Sequence, residues 1–450
     1  MVFMDRRCGA WQIGTEEGAG TVEFRILFPA GPDPKVTGIR VAGDFQEALE
    51  QKNWDFTGGV ALSREPGTDP LGTFWSVRTP QALPAGFYEY KYEVDFEDAP
   101  SRIVTDPCAR YGGLSEQNSG IVVGGSSPAD NRIRPVAGGR LPLTDLVIYE
   151  LMIDDFTAGY RLGRAPLDAV RDRLDELAGM GFNAIEFMPW TAWKHTDFDW
   201  GYEPFQYFAV ESRYADAPGA PQEKLSALKR LVDACHERGI HVLMDGVFNH
   251  VSHEFPYPQL YQDPADCPFT AHAFGGTFPG LADLDFHNPI TGHLVHDACT
   301  YWIDTFGIDG IRLDNTVNFH VPGTAHGLPE ILTGVAEHVT ARGEQNFSLT
   351  LEHIDTTAAR VTNDTAATSF WDNSLYEQTF TALWTDTISP GLLNALNNRR
   401  WLADGKTPTL YLSSRLAGRG AGERRRVPTL VEAAALPHRP VHLDGDPADP

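Results

Sequence analysis

The sequence predicts an α/β protein: a (β/α)8 barrel of the TIM type, incomplete at its C-terminal end and preceded by an all-β sandwich. Three observations predict it. From Thr21 to Val123 apolar residues alternate with period two, in runs punctuated by Gly, Pro and Asp. After the Gly- and Pro-bearing stretch "PVAGGRLP", short apolar runs alternate instead with segments of helical spacing. Charged residues then gather at the ends of three successive runs, where a barrel of this kind keeps its reactive groups.

In chain order, residues 1–20 read as an N-terminal extension and 21–125 as the sandwich. "TVEFRILFPA", "VTGIRVAGDF", "TFWSVRTP" and "GFYEYKYEVD" supply its strands. Residues 126–142 read as a linker, and 143–412 as the barrel, with an excursion at about 251–292. The first barrel strand is "DLVIYELM", followed by a helix from Pro166 in which Leu167, Val170, Leu174 and Leu177 share a face. "NAIEFMP" is next, then a helix from Glu223 to Arg238 that stops at Gly239 and leads into "IHVLMDGV". A helix over Val295–Phe306 precedes "IDGIRLD", one over Ile331–Arg342 precedes "FSLTLEH", and "KTPTLYL" is the seventh strand. Strands separated by helices pair in parallel through right-handed crossovers. A doubly wound nucleotide binder would carry a Gly-rich turn after its first strand, and "YELMIDDFTAGY" has none, which favours the barrel.

Composition narrows the partners. The 450 residues are 42% apolar with a formal charge of -25, enough for a large core and repulsive to phosphate backbones and anionic lipid. Neither nucleic acid nor a membrane is expected as partner; a neutral, hydroxyl-rich substrate is. The five cysteines form no Cys-x-x-Cys pair, which argues against a zinc cluster or a disulfide framework. No run reads as a signal peptide or a bilayer span, so the expected location is cytoplasmic.

The chemistry lies at the strand ends. "HVLMDGVFNH" delivers Asp245, Asn249 and His250, "GIRLD" delivers Arg312 and Asp314, and "LTLEH" delivers Glu352 and His353. Side chains alternate along a strand, so Arg312 and Asp314 share a side. A guanidinium beside Asp314 favours its ionised form, as a nucleophile requires, and Glu352 on the next strand is the candidate proton donor. Two carboxyls roughly 5–5.5 Å apart suit glycosidic cleavage with retention through a covalent sugar–enzyme intermediate. Taken singly, an acidic residue at a strand end is more often a helix cap. The joint pattern over three strands is what points to a site.

These stretches resemble the α-amylase family of glycoside hydrolases and transglycosylases. "DGVFNH", "GIRLD" and "TLEH" are similar to its first three signatures, in order, and "GLADLDFHNP" to a further stretch in the excursion. "VAGDFQ", "LPAGFYEYKYEVD" and "DPCARYGG" resemble the glycogen-binding sandwich that precedes the barrel in branching and debranching members. The resemblance implies Asp314 as nucleophile, Glu352 as acid/base, Arg312 as partner of the nucleophile, and His250 as a donor to the reacting sugar. It places Tyr202 against that sugar and His353 among the substrate-binding residues. The implied partner is an α-glucan. No cofactor is required, and Asn249 and Asp283 resemble calcium ligands, though two are too few for a full shell.

The pattern then breaks. The family's fourth signature, an Asn-His-Asp after the seventh strand, is absent: beyond Leu412 the chain reads "SSRLAGRGAGERRRVPTLVEAAALPHRPVHLDGDPADP". The Arg-, Ala- and Pro-rich composition of 413–450 suggests that the reading frame changes near residue 412, the alternative being a natural disordered tail. Two functions follow: an enzyme of α-1,4 or α-1,6 glucosidic bonds, or a catalytically impaired glucan-binding protein that lacks the third family carboxylate.

Overall fold

The computed structural model describes residues 8–411 except 17, 68, 113–117, 125–132, 194–199, 216–223, 277 and 386. The segment from 412 to 450, where the change of frame is expected, lies outside the described residues.

The N-terminal part is built of two sheets. One runs in the order Gly9–Glu16, Ala19–Pro29, Gly72–Arg78 and Ser63–Arg64, all antiparallel. The second contains Ser119–Val123, Gly86–Phe96, Val36–Gly43 and Val60–Ala61 as antiparallel neighbours. Alternation explains both: Val22, Phe24 and Ile26 of one sheet and Tyr90, Tyr92 and Val94 of the other are buried, with more exposed residues between them.

Two boundaries differ from the sequence reading. The first strand begins at Gly9 inside the expected extension, because "GAWQIGTE" pairs along the edge of Ala19–Pro29. The second sheet also recruits the hairpin Thr191–Trp193 and Pro204–Val210 from the barrel segment, joined through Val210 opposite Tyr111. The end of the expected linker is likewise fastened. Arg140 pairs with Asp309 at 2.6 Å and Glu344 at 2.5 Å, and Asp309 also accepts from His236 Nε2 (2.9 Å) and the Val242 amide (2.8 Å).

The barrel segment forms one parallel sheet of seven strands in strict chain order: Ile148–Leu151, Ala184–Phe187, His241–Gly246, Gly310–Leu313, Ser348–Leu351, Ser369–Asp372 and Thr407–Leu410. There is no reversal of order, which excludes a doubly wound sheet. Among the described residues the first and seventh strands are each paired on one side only, so the sheet is a curled, open, incomplete barrel. The sixth strand, "SFWD", is one the sequence reading did not single out: four residues with two polar ends give no run to recognise.

Helix ends follow their caps. Pro289–Phe306 starts six residues before the periodic run at Val295, since Asn288 accepts from the Ile290 amide and Pro289 sits at the first turn; Gly307, at φ 62°, ends it. The helix from Pro166 is two short ones, Pro166–Arg171 and Leu174–Gly179. No helix among the described residues is long and apolar enough to cross a membrane.

Candidate active site

The third, fourth and fifth strands are mutual neighbours, so register dictates what meets. Asp245 stands opposite Arg312, and Arg312 opposite Thr350. Past the strand ends the ladder continues: the Asp314 amide donates to Gly246 O at 3.0 Å and the Glu352 amide to Leu313 O at 3.0 Å. Backbone bonds thereby fix the two carboxyl-bearing residues on adjacent strands.

Arg312 is fully buried and is the hub. Its Nη1 donates to Asp245 Oδ1 (2.5 Å) and Asp314 Oδ1 (2.9 Å). Its Nη2 lies 2.8 Å from Glu352 Oε2, an ion pair whose angle falls outside hydrogen-bond geometry. The Trp371 ring of the sixth strand lies 4.5 Å from the guanidinium carbon, closing its remaining face. Asp314 and Glu352 therefore flank a single guanidinium.

The surrounding contacts set each orientation. Asn249 Nδ2 donates to Asp314 Oδ2 (3.0 Å) and to Asp314 O (3.1 Å). Asn315, held at φ 40°, turns its amide onto Glu352 Oε2 at 2.8 Å; a left-handed non-glycine residue is strained, and here the strain aims a donor. The Tyr202 hydroxyl donates to Asp245 Oδ2 at 2.7 Å, leaving the ring half-buried.

Two predicted residues are more constrained than the sequence suggests. His250 has both ring nitrogens engaged, Nδ1 with Asn249 Oδ1 (2.5 Å) and Nε2 with Tyr202 O (2.7 Å). A bond from His250 to a sugar requires exchange of one of them. His353 sits against Thr316 Oγ1 (2.9 Å) and Thr357 Oγ1 (3.1 Å). Burial lowers the pKa of both imidazoles.

Burial and mutual repulsion act on the carboxyls. Glu352 is pushed up to about 7, mainly by burial and with Asp314 adding to it, while Arg312 pulls down. Asp245 is raised for the same reasons. Glu186 lies in parallel register with Glu150 and Leu243 and is raised well above the usual carboxylate range, again by burial. Sequence reasoning passed over Glu186, although a glutamate inside the apolar run "NAIEFMP" was the signal. It also gave no role to Asp245 or to Trp371.

Of the two residues that resemble calcium ligands, Asn249 is engaged by Asp314 and His250, while Asp283 accepts from the Phe274 amide at 2.5 Å through Oδ2 and keeps Oδ1 buried without a hydrogen-bond partner. Among the described residues no three His, Cys, Asp or Glu side chains come together as a cation cage.

The chain is similar to known proteins over about two thirds of its length. Residues 151–268 match the family described as alpha amylase, catalytic domain. The similarity is to enzymes. They are glycoside hydrolases acting on α-glucans. One relative is the malto-oligosyltrehalose trehalohydrolase of Rhizobium sp. (strain M-11), 30% identical over 297 residues, 65% of this chain and 44% of that protein. Another is the chloroplastic isoamylase 3 of Oryza sativa subsp. japonica, 28% identical over 352 residues, 68% of this chain and 44% of that one. Among solved structures, the pullulanase of Anoxybacillus sp. LM18-11 complexed with maltotetraose superposes with a TM-score of 0.70 at 18% identity. It covers 90% of this chain and 60% of its own, a likeness of fold. The chain thus spans less than half the length of these two curated relatives.

Proposed function

We propose that the site cleaves α-1,4 or α-1,6 glucosidic bonds of glycogen, starch or maltodextrin by double displacement, passing the glucosyl unit to water or to a sugar hydroxyl. The observation that carries this reading is the shared guanidinium: Arg312 joins Asp314 and Glu352 on neighbouring strands, with Tyr202 beside them. Asp314 is the nucleophile. Arg312 and Asn249 hold its carboxylate, one on each oxygen. Glu352, carrying its proton up to about pH 7, donates it to the departing glycosidic oxygen. The resulting carboxylate then takes a proton from the incoming water or hydroxyl, and C1 is released from Asp314 with its original configuration. Tyr202, anchored through its hydroxyl, supports the sugar with its ring face.

The two-sheet N-terminal part is proposed as the glycogen-binding module, and a branched storage polymer inside the cell as the natural substrate. The reaction in this reading requires no cofactor.

A second reading, a glucan-binding protein without turnover, is favoured by one fact: the sequence has no Asn-His-Asp. Loss of one preorganised transition-state group commonly costs roughly 10²–10³ in rate. Incubation with glycogen and maltoheptaose decides between them. New reducing ends or altered branching that vanish in Asp314→Asn establish the enzyme. Binding without change of the glucan in both proteins establishes the binder, and neither binding nor turnover overturns both.

A further inference from the structure

All five cysteines are buried as free thiols, and two of them sit on segments tied together by one arginine. Cys8 immediately precedes the edge strand Gly9–Glu16, and Cys108 lies 100 residues on, just ahead of Tyr111–Gly112. Burial, and after it the neighbouring Cys108 side chain, raises the Cys8 pKa, and the two backbones are clasped: Arg110 Nη1 donates to Cys8 O at 2.9 Å and also to Cys108 O. Gly9, at φ 95°, permits the approach, since a Cβ there would stand 2.8 Å from Cys108 O. Cys235, Cys267 and Cys299 belong to other elements: the helix Lys224–Glu237, the turn after Pro264–Asp266 and the helix Pro289–Phe306.

The pocket around the pair joins three parts of the chain. The Cys108 amide donates to Asp106 Oδ1 at 2.8 Å, and Tyr90 and Tyr92 donate to Asp106 Oδ2 at 2.7 and 3.1 Å. From the excursion of the barrel segment, the Tyr257 hydroxyl reaches Cys108 Sγ at 3.5 Å. We propose that Cys8 and Cys108 are a modification site, a thiol pair that a small-molecule disulfide converts to an intramolecular cystine fastening the first strand to this junction.

The exchange balances in two steps. The Cys8 thiolate attacks one sulfur of the disulfide, forming a mixed disulfide and expelling one thiolate. The Cys108 thiolate then attacks the Cys8 sulfur, the new S–S bond forms, and the second thiolate leaves. Two electrons pass from the protein thiols to the reagent, and the two protons end on the released thiols. Burial raises the Cys8 pKa and Arg110 lowers it, so the thiol is mostly protonated while the strand is docked. Gly9–Glu16 is paired on one side only, with Ala19–Pro29, so its opening is the local event that admits the reagent. Oxidation is therefore slow without denaturant and fast under mild destabilisation.

The test uses the full chain. It is incubated with oxidised glutathione in urea below its unfolding transition, quenched with acid, denatured and alkylated, and the remaining thiols are counted. Two of the five are expected to disappear. A Cys8–Cys108 cross-linked peptide should appear, with a rise in melting temperature that dithiothreitol reverses. Cys8→Ser and Cys108→Ser should each abolish the cross-link, while Cys235→Ser should leave it intact. Should either serine variant fail to fold, peptide mapping of the unaltered chain alone still decides. Five surviving thiols, a lasting glutathione adduct on Cys8 without closure, or a cross-link between other cysteines would overturn the proposal.

Discussion

Replacing Arg312 by Met tests whether the guanidinium is the electrostatic keystone or a core side chain that happens to be charged. It faces Asp245, Asp314 and Glu352 from full burial, at 2.5, 2.9 and 2.8 Å. Removing one partner of a buried pair usually costs about 3–5 kcal/mol, because the other is left uncompensated. At roughly 2–4 °C per kcal/mol for a domain of this size, the melting temperature should fall by about 6–20 °C. The sharper expectation concerns pH. Arg312 lowers the folded-state pKa of both Asp245 and Glu352. Without it those values rise further above their unfolded ones, so the folded variant binds protons more tightly than the unfolded chain. Its deficit should be small near pH 5, where the carboxyls are neutral, and should widen by up to about 1.4 kcal/mol per pH unit per group as pH rises. Urea melts of the wild type and Arg312→Met at pH 5, 7 and 8.5 measure this. A penalty that is the same at all three would refute the electrostatic account and leave Arg312 as packing against Trp371.

Other expectations follow from the same geometry. If the chain cleaves glucan, its rate should decline as pH rises through about 7, where Glu352 loses its proton, and Glu352→Gln should lower the rate by roughly 10²–10⁴. The same carboxyl makes the wild-type fold lose stability as pH climbs from its ordinary value of 4.5 towards 7, because the folded state holds the proton longer; melts across that window show it. Tyr202→Phe should keep the ring but strand a buried Asp245 oxygen, costing about 1–3 kcal/mol in a urea melt. Leu383 and Trp384 are 73% and 92% exposed beside Phe380, Ile388 and Leu393. Trp384→Glu should therefore reduce aggregation in light scattering while shifting stability by no more than about 0.5 kcal/mol.

What the sequence disclosed was whatever rests on short-range period and order. "IHVLMDGV", "IDGIRLD" and "FSLTLEH" are apolar runs broken only at their ends, so their strands and the residues on them were legible. Less legible were features requiring a partner distant in sequence. "SFWD" becomes a strand only between Ser348–Leu351 and Thr407–Leu410. The hairpin around Pro204–Val210 was counted within the barrel segment because nothing local says that Val210 will meet Tyr111. The contact of His250 with a backbone carbonyl 48 residues away, beside the sugar-donor role the resemblance implies for it, has no signature in sequence. Glu186 was passed over inside its apolar run, and the register with Glu150 sets it beside a second carboxyl.

The open sheet does not undo the site, and the reason is positional. The three carboxyls that meet at Arg312 come from the ends of the third, fourth and fifth of seven strands, and each of those strands is hydrogen-bonded on both flanks. Fraying at the first or seventh strand must pass through a fully paired neighbour before it disturbs Asp245, Asp314 or Glu352. Exposed large apolar side chains cluster in and between the helices Asn373–Thr385 and Pro390–Ala395 that follow the sixth strand. Amide exchange should consequently rank the strands from the centre outward, with Leu313 and Leu351 slowest and Leu410 fastest. Were Leu313 to exchange as fast as Leu410, the sheet would be opening as a whole, and the paired centre could not hold two carboxyls on one guanidinium.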